Sequence, residues 1–248
     1  MGIWSVSDPF EKVGIFDKNQ SMKKWILPLC LAGLLFTSCK EAPKQVAISD
    51  QEDVEPKNLL ELLADKHGFE NWEQVDRIAF TFNVDRDTSH YERSWIWDIG
   101  PDRVTQISGG DTLSYLRSEV DSTLTRADAG FINDKFWLLA PYQWVWDQQS
   151  FTWEFEEGIA APISGEPLDK LTITYGQEGG YTPGDAYDFY LSKDSILQEW
   201  VYRKGNQAEP SLATTWEDYR DFKGLSLATM HQNAEGSFKL YFTGIRVE

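Results

Sequence analysis

Ile78–Ile99, IAFTFNVDRDTSHYERSWIWDI, decides the fold. Ile78, Phe80 and Phe82 alternate with Ala79, Thr81 and Asn83, and Trp95, Trp97 and Ile99 alternate with Ser94, Ile96 and Asp98. A period of two places each set on one face of an extended strand. The next segments, Arg103–Ile107 and Thr112–Arg117, flank Gly109-Gly110-Asp111, a hairpin signal. The spacing therefore predicts four consecutive antiparallel strands.

Working outward, Asn58–His67 carries Leu59, Leu60, Leu62 and Leu63 at helical spacing and ends at Gly68. A short helical turn is expected over Glu70–Val75. Downstream, Asp128–Leu139 (DAGFINDKFWLL) reads as a helix that Pro141 stops, with Tyr142, Trp144 and Trp146 following in extended chain. Alternation returns at Phe151, Trp153 and Phe155. It continues through Leu168–Tyr175, Ala186–Leu191, Ile196–Arg203, Ala213–Phe222, Ser226–Gln232 and Phe238–Val247. The expected fold is α+β and mainly antiparallel. An apolar sheet face of this size needs a cover, and two short helices are too few for a flat sheet. A strongly curved half-barrel sheet of about 10–11 strands, its concave face plugged by short helices, meets the requirement.

The front of the chain gives an address. Met22–Cys39, MKKWILPLCLAGLLFTSC, has Lys23 and Lys24 before an apolar run, Trp25–Phe36. A membrane-spanning helix needs about 20 residues, so this shorter run reads as a signal peptide. Phe36-Thr37-Ser38-Cys39 resembles a bacterial lipobox, with Phe36 where Leu is usual. Cys39 is the expected lipidation site. Residues 1–21 carry Asp8, Glu11 and Asp17, which the start of a signal avoids, and read as an over-extended start before Met22. Residues 22–38 are then the signal, 39–57 the lipidated cysteine with a flexible tether, and 58–248 the domain. Lys40 after Cys39 points to the outer membrane, with the periplasmic face preferred over surface display.

Composition narrows the function classes. The two cysteines are Cys30 and Cys39, so neither is left for a disulfide inside the domain. A net charge of −17 without a basic stripe argues against nucleic acid, and leaves membrane attachment to acyl chains on Cys39. The chain has 11 Trp, of which only Trp4 and Trp25 precede Cys39. Phe80/Phe82, Trp95/Trp97, Trp144/Trp146, Phe151/Trp153/Phe155, Tyr187/Phe189 and Trp200/Tyr202 stand two residues apart. Each pair alone reads as core; the set exceeds what a compact core requires and points to an aromatic-lined cavity. The cavity candidates are Phe80, Phe82, Trp95, Trp97, Trp144, Trp146, Trp153, Phe189 and Trp200, with Trp144 and Trp146 expected at its mouth.

Phe131–Pro141 (FINDKFWLLAP) with Tyr142, the late hairpin Asp185–Leu191 and Leu197–Arg203 (DAYDFYL, LQEWVYR), and His67–Trp72 (HGFENW) resemble the LolA/LolB-like lipoprotein-sorting superfamily. The resemblance spans 58–247, and its motifs are diffuse. It implies a half-barrel that accepts lipid or acyl chains in a hydrophobic concavity. The anchor implies a fixed receiver more than a soluble carrier. No acyl-contacting residue carries over.

Signs of catalysis are weak. His67, His90 and His231 form no pair at zinc-site spacing, no Gly-x-Ser-x-Gly elbow occurs, and no cofactor is expected. Glu154, Glu156 and Glu157, or Glu217, Asp218 and Asp221, offer paired carboxylates, but such clusters arise by charge excess alone. Glu178, Asp185 and Asp188 match no calcium loop. Gly176–Asp185 (GQEGGYTPGD) reads as a mobile hairpin loop or a flap at the cavity rim. The sequence thus predicts a non-enzymatic, lipid-anchored module. Its ligand is a lipid or hydrophobic small molecule; the alternatives are a scaffold subunit with an envelope protein partner, and a carboxylate-dependent hydrolase.

Overall fold

The computed structural model describes residues 57–248. The over-extended start, the signal, Cys39 and the tether up to Pro56 lie outside the described residues. Helix α1 spans Leu59–Asp65. It starts at a capping box: Asn58 Oδ1 accepts from the Glu61 amide at 3.0 Å, and Glu61 Oε2 accepts from the Asn58 amide at 2.7 Å. The helix buries Leu60, Leu63 and Ala64. A 3₁₀ turn, Phe69–Gln74, follows Gly68.

Four strands come next: β1 (Arg77–Arg86), β2 (Ser89–Asp98), β3 (Arg103–Ser108) and β4 (Asp111–Leu116). They form the expected antiparallel meander, with Phe80 opposite Trp95 and Ile78 opposite Trp97. Helix α2, Thr125–Trp146, leads to β5 (Phe151–Ala160), β6 (Pro167–Tyr175), β7 (Ala186–Leu191) and β8 (Leu197–Arg203). The last strands are β9 (Leu212–Thr215), β10 (Glu217–Phe222), β11 (Leu225–Gln232) and β12 (Phe238–Val247).

The strands form two antiparallel sheets and no closed barrel among the described residues. One has seven strands in the order β10-β11-β12-β1-β2-β3-β4; the other has five, in sequence order from β5 to β9. The mainly antiparallel α+β fold is the one expected, and its strands part into two sheets at one residue. The stretch 213–222, read as one strand, is broken at Trp216. Its first part closes the five-stranded sheet and its second opens the seven-stranded one. At the break the Trp216 amide still bonds to the Gln198 carbonyl at 2.7 Å, while the Gln232 amide bonds to Thr215 Oγ1 at 3.2 Å. Trp216 itself is buried edge-on against His231, ring centroids 4.4 Å apart. A side chain of that size at the junction turns the chain from one sheet into the other.

Helix α2 packs against both sheets. Phe131 lies 5.5 Å from Trp95 and 5.6 Å from Trp97, between ring centroids, on the seven-stranded sheet. Trp137 lies 4.3 Å from Trp200, and Trp144 5.2 Å from Phe189, on the five-stranded sheet. A helix with apolar residues all round belongs between two layers. Pro141 does not stop it, as the sequence suggested. The helix breaks at Leu139 (φ −123°, ψ 25°) and resumes, with Pro141 early in the resumed segment. Proline is tolerated in a first helical turn because its missing amide has no partner there. Tyr142, Trp144 and Trp146 are therefore helical rather than extended. Tyr142 and Trp146 share a face at 5.9 Å, and Trp144 points the other way. Pro141 also leaves the Trp137 carbonyl without its donor four residues on, and the His231 ring sits beside that carbonyl.

Two buried positions near α1 are testable. Gly68 has φ 88°, and a Cβ there would lie 1.9 Å from the Gly224 carbonyl oxygen. Gly68→Ala is expected to cost roughly 2–4 kcal/mol, left-handed strain plus overpacking, against a change within about 0.5 kcal/mol for Gly100→Ala, by urea unfolding. His67 is fully buried. Its Nε2 accepts from the Leu197 amide at 3.2 Å, so Nδ1 carries the proton and donates to the Leu63 carbonyl at 3.0 Å. Burial holds the ring neutral, its pKa pulled from 6.5 down to about 4. The unfolded chain takes up this proton below pH 6.5 and the folded chain only near 4. The stabilisation is thus complete above pH 6.5 and is lost as pH falls towards 4, on the order of 3 kcal/mol in all. His67→Gln should flatten the fall in unfolding free energy between pH 6.5 and 4.5; an unchanged slope would assign the acid sensitivity elsewhere.

Candidate ligand cavity

The alternating face of β1 changes character along its length. Ile78 and Phe80 are buried in the core. Phe82, Val84 and Arg86, continuing the same face, line a cavity of about 800 Å³. Ligand pockets commonly measure about 300–1,000 Å³. Phe238 and Leu240 of β12 extend this wall, and Tyr91 and Arg93 of β2 flank it. Helix α2 contributes Ile132, Phe136 and Trp137, and the five-stranded sheet contributes Tyr187, Trp200 and Tyr202. The five-stranded wall is a continuous aromatic surface, with Tyr187 stacked on Trp200 at 5.4 Å and Phe136 5.8 Å from Trp200.

Of the residues expected in the cavity, the structure brings Phe82 and Trp200 to its wall. Phe80, Trp95, Trp97 and Phe189 are core residues behind it. Trp144 is 1% exposed and packs against Phe189. Trp146 stacks edge-on with Trp72 at 4.8 Å. Placing these two at a mouth assumed an extended chain that is in fact helical. Trp153 is 42% exposed on the edge strand β5, away from the cavity. Sequence reasoning did not select Phe136 and Trp137. Only the position of α2 between the sheets shows that part of that helix face is open.

Reasoning from aromatic residues also missed the charges. Arg86, Arg93, Arg117, Arg126 and Lys135 line the cavity, against the acids Asp147 and Glu178. Arg93 donates through Nη2 to Asp134 Oδ1 at 2.7 Å and to the Gly130 carbonyl at 3.2 Å. Trp95 Nε1 donates to the other oxygen of Asp134 at 2.7 Å. A Cβ on Gly130 would sit 2.7 Å from Arg93 Nη1, so the glycine makes room for the guanidinium. Arg117 Nε donates to Asp128 Oδ1 at 3.0 Å. Lys135 is 5% exposed, with Nζ 5.1 Å from the ring centroids of both Trp97 and Trp146. Burial, and then the like charge of Arg117, pull its pKa down to about 8, so it is mostly protonated at neutral pH.

The glycine-rich loop reaches the cavity through Gly176, Glu178, Gly179, Gly180, Tyr181 and Thr182. Tyr181 donates its hydroxyl to Asp128 Oδ2 at 2.6 Å, which fastens the loop to α2 across the opening. Asp185 and Asp188 are taken up locally: Asp185 accepts from Tyr202 and the Gly205 amide, and Asp188 from Arg203 and Thr172. Neither carboxylate cluster weighed for catalysis lines the cavity. Glu154, Glu156 and Glu157 lie on the edge strand β5, with Glu156 paired to Lys170. Asp218 is held by Arg220 and Thr229. Among the described residues no group of three or more His, Cys, Asp and Glu side chains is placed to hold a metal ion, and no helix is long and apolar enough to cross a membrane.

No family model and no curated protein matches the chain. Among solved structures, a DUF1329 family protein from Desulfovibrio piger is similar at 11% identity and TM-score 0.44, over 77% of this chain and 94% of that one. A LolA superfamily protein from Nitrosomonas europaea is similar at 10% identity and TM-score 0.39, over 76% and 93%. MucB in complex with MucA(peri) is similar at 13% identity and TM-score 0.26, over 76% of this chain and 56% of that one. With TM-scores below 0.5, the functional reading rests on the cavity.

The loop fastening gives a prediction. Tyr181→Phe removes the hydroxyl bond to Asp128 and leaves the ring. It should raise the dissociation rate of a bound apolar fluorescent probe by about three- to tenfold, the net worth of one typical hydrogen bond, with little change in unfolding midpoint.

Proposed function

We propose that this protein is a non-enzymatic binding module that holds an apolar ligand, a lipid or acyl chain, in the cavity between α2 and the two sheets. The observation that carries the reading is the cavity of about 800 Å³ walled by Phe82, Phe136, Trp137, Tyr187, Trp200 and Leu240. A water-filled space with such walls forfeits hydrophobic stabilisation, about 25 cal/mol for each Å² of apolar surface left wet. An inserted hydrocarbon chain recovers it. The glycine-rich loop, tied to α2 through Tyr181, closes over the ligand and opens to release it. The two carboxylate clusters weighed for catalysis, on β5 and β10, do not line the cavity. In this reading acyl chains on Cys39 fix the module at the outer membrane, facing the periplasm, and the segment before the domain is a tether. The service is lipid or lipoprotein handling at the cell envelope.

Mass spectrometry of lipids that co-purify with the full chain tests the reading, paired with a substitution that fills the space. Val84→Trp adds a large ring at the cavity wall. The expected result is a lipid bound near one per chain in the wild type, with at least a tenfold loss in Val84→Trp at unchanged circular dichroism. An empty wild-type protein that also fails to bind fatty-acid probes would sink the proposal.

A further inference from the structure

The apolar reading leaves the charges on the cavity wall unused. Five cationic side chains line it against two acids, in a chain whose net charge is −17. Arg86 and Arg126 are exposed at the rim. Arg93 is held through two nitrogens by Asp134, and Arg117 is paired through Nε with Asp128. Lys135 is different. It is 5% exposed, lines the cavity, and makes no ion pair or hydrogen bond among the described residues. The rings of Trp97, Trp146 and Phe131, at 5.1, 5.1 and 5.9 Å, surround its ammonium. Ring faces attract a cation, but they leave its three N–H groups without a strong acceptor. A buried charge in that state is costly unless an anion completes it. On the same wall the acceptor Gln143 Oε1 and the donor Trp200 Nε1 are buried and also lack partners. Three incomplete polar groups in one cavity mark a place built for something beyond hydrocarbon.

We infer that the ligand is a long-chain carboxylic acid, its carboxylate held at Lys135 and its chain laid along Phe82, Phe136, Tyr187 and Trp200. The inference rests on the lipid-cavity reading above and narrows it to a ligand class. A single ammonium suits a single negative charge. A phosphate head group calls for more donors than one lysine has, and bidentate recognition falls to guanidinium forks; Arg93 and Arg117 are already engaged with Asp134 and Asp128, and Arg86 and Arg126 stand exposed at the rim. The exposed Arg86 and Arg126 then draw the acid towards the rim, against the repulsion of the acidic outer surface.

The test compares palmitic acid with its methyl ester, which has the same chain and no charge, by displacement of a fluorescent probe from the full chain at pH 7.4. The expected result is at least tenfold tighter binding of the acid by the wild type. Lys135→Met should abolish the preference while keeping ester affinity within about twofold, and Lys135→Arg should retain it. Equal affinities for acid and ester in the wild type would overturn the inference and leave the lipid cavity standing. Failure to bind either would overturn both. The wild-type ratio decides the matter even where Lys135→Met fails to fold, and a preference surviving in a folded Lys135→Met contradicts the role of Lys135.

Discussion

The fold depends on helix α2 lying between two sheets. Phe131 occupies the seven-stranded side against Trp95 and Trp97, and Trp137 and Trp144 occupy the five-stranded side against Trp200 and Phe189. Each ring of this size contributes on the order of 2–3 kcal/mol by burial, and aromatic pairs add about 0.5–1.5 kcal/mol. Trp137 before the break at Leu139 and Trp144 after it both reach the five-stranded sheet, so the interrupted helix keeps serving both surfaces along its length. The helix cannot fill the whole space between the sheets, and what it leaves is the cavity. Core and cavity are thus two ends of the same faces: on β1, Phe80 is core and Phe82 is wall.

The electrostatics follow the same division. The outer surface is acidic, while the cavity gathers Arg86, Arg93, Arg117, Arg126 and Lys135. Two of these are structural. Arg93 and Asp134 tie β2 to α2, and Arg117 with Asp128 ties the end of β4 to the same helix. Asp128 also receives Tyr181 from the glycine-rich loop and Tyr115 from β4. One carboxylate therefore joins strand, helix and loop at the opening, so movement of the loop bears directly on access to the cavity. Lys135, one helical turn beyond Phe131, is the cation this network leaves over.

The parts of the fold legible in the sequence were those governed by local period. Strands β1 to β4 follow from alternation and from Gly109-Gly110-Asp111, and α1 from its leucines and Gly68. The errors arose where tertiary contact overrides local preference. Pro141 looks like a stop, yet a broken helix sandwiched between sheets accommodates it. Residues 213–222 alternate like one strand, and only the packing of Trp216 against His231 and Trp200 divides them. At the site, the aromatic pattern could indicate that a cavity exists but not which rings face it, because core and wall share the same residue types. Phe82 and Trp200 line it; Phe80, Trp95, Trp97 and Phe189 do not. The cations were invisible for a simpler reason. Arg86, Arg93, Arg117, Arg126 and Lys135 come from three elements and a turn, and no sequence window holds them together.

The central claim is that a hydrocarbon chain lies against Trp137 and Trp200. Fluorescence quenching by a fatty acid brominated near the middle of its chain tests it most directly, since bromine quenches only rings it touches. The expected result is saturable quenching of part of the tryptophan emission in the wild type, lost in large part when Trp137 and Trp200 are both replaced by Phe. Quenching no greater than that of the unbrominated acid, or quenching undiminished in the double variant, would contradict it.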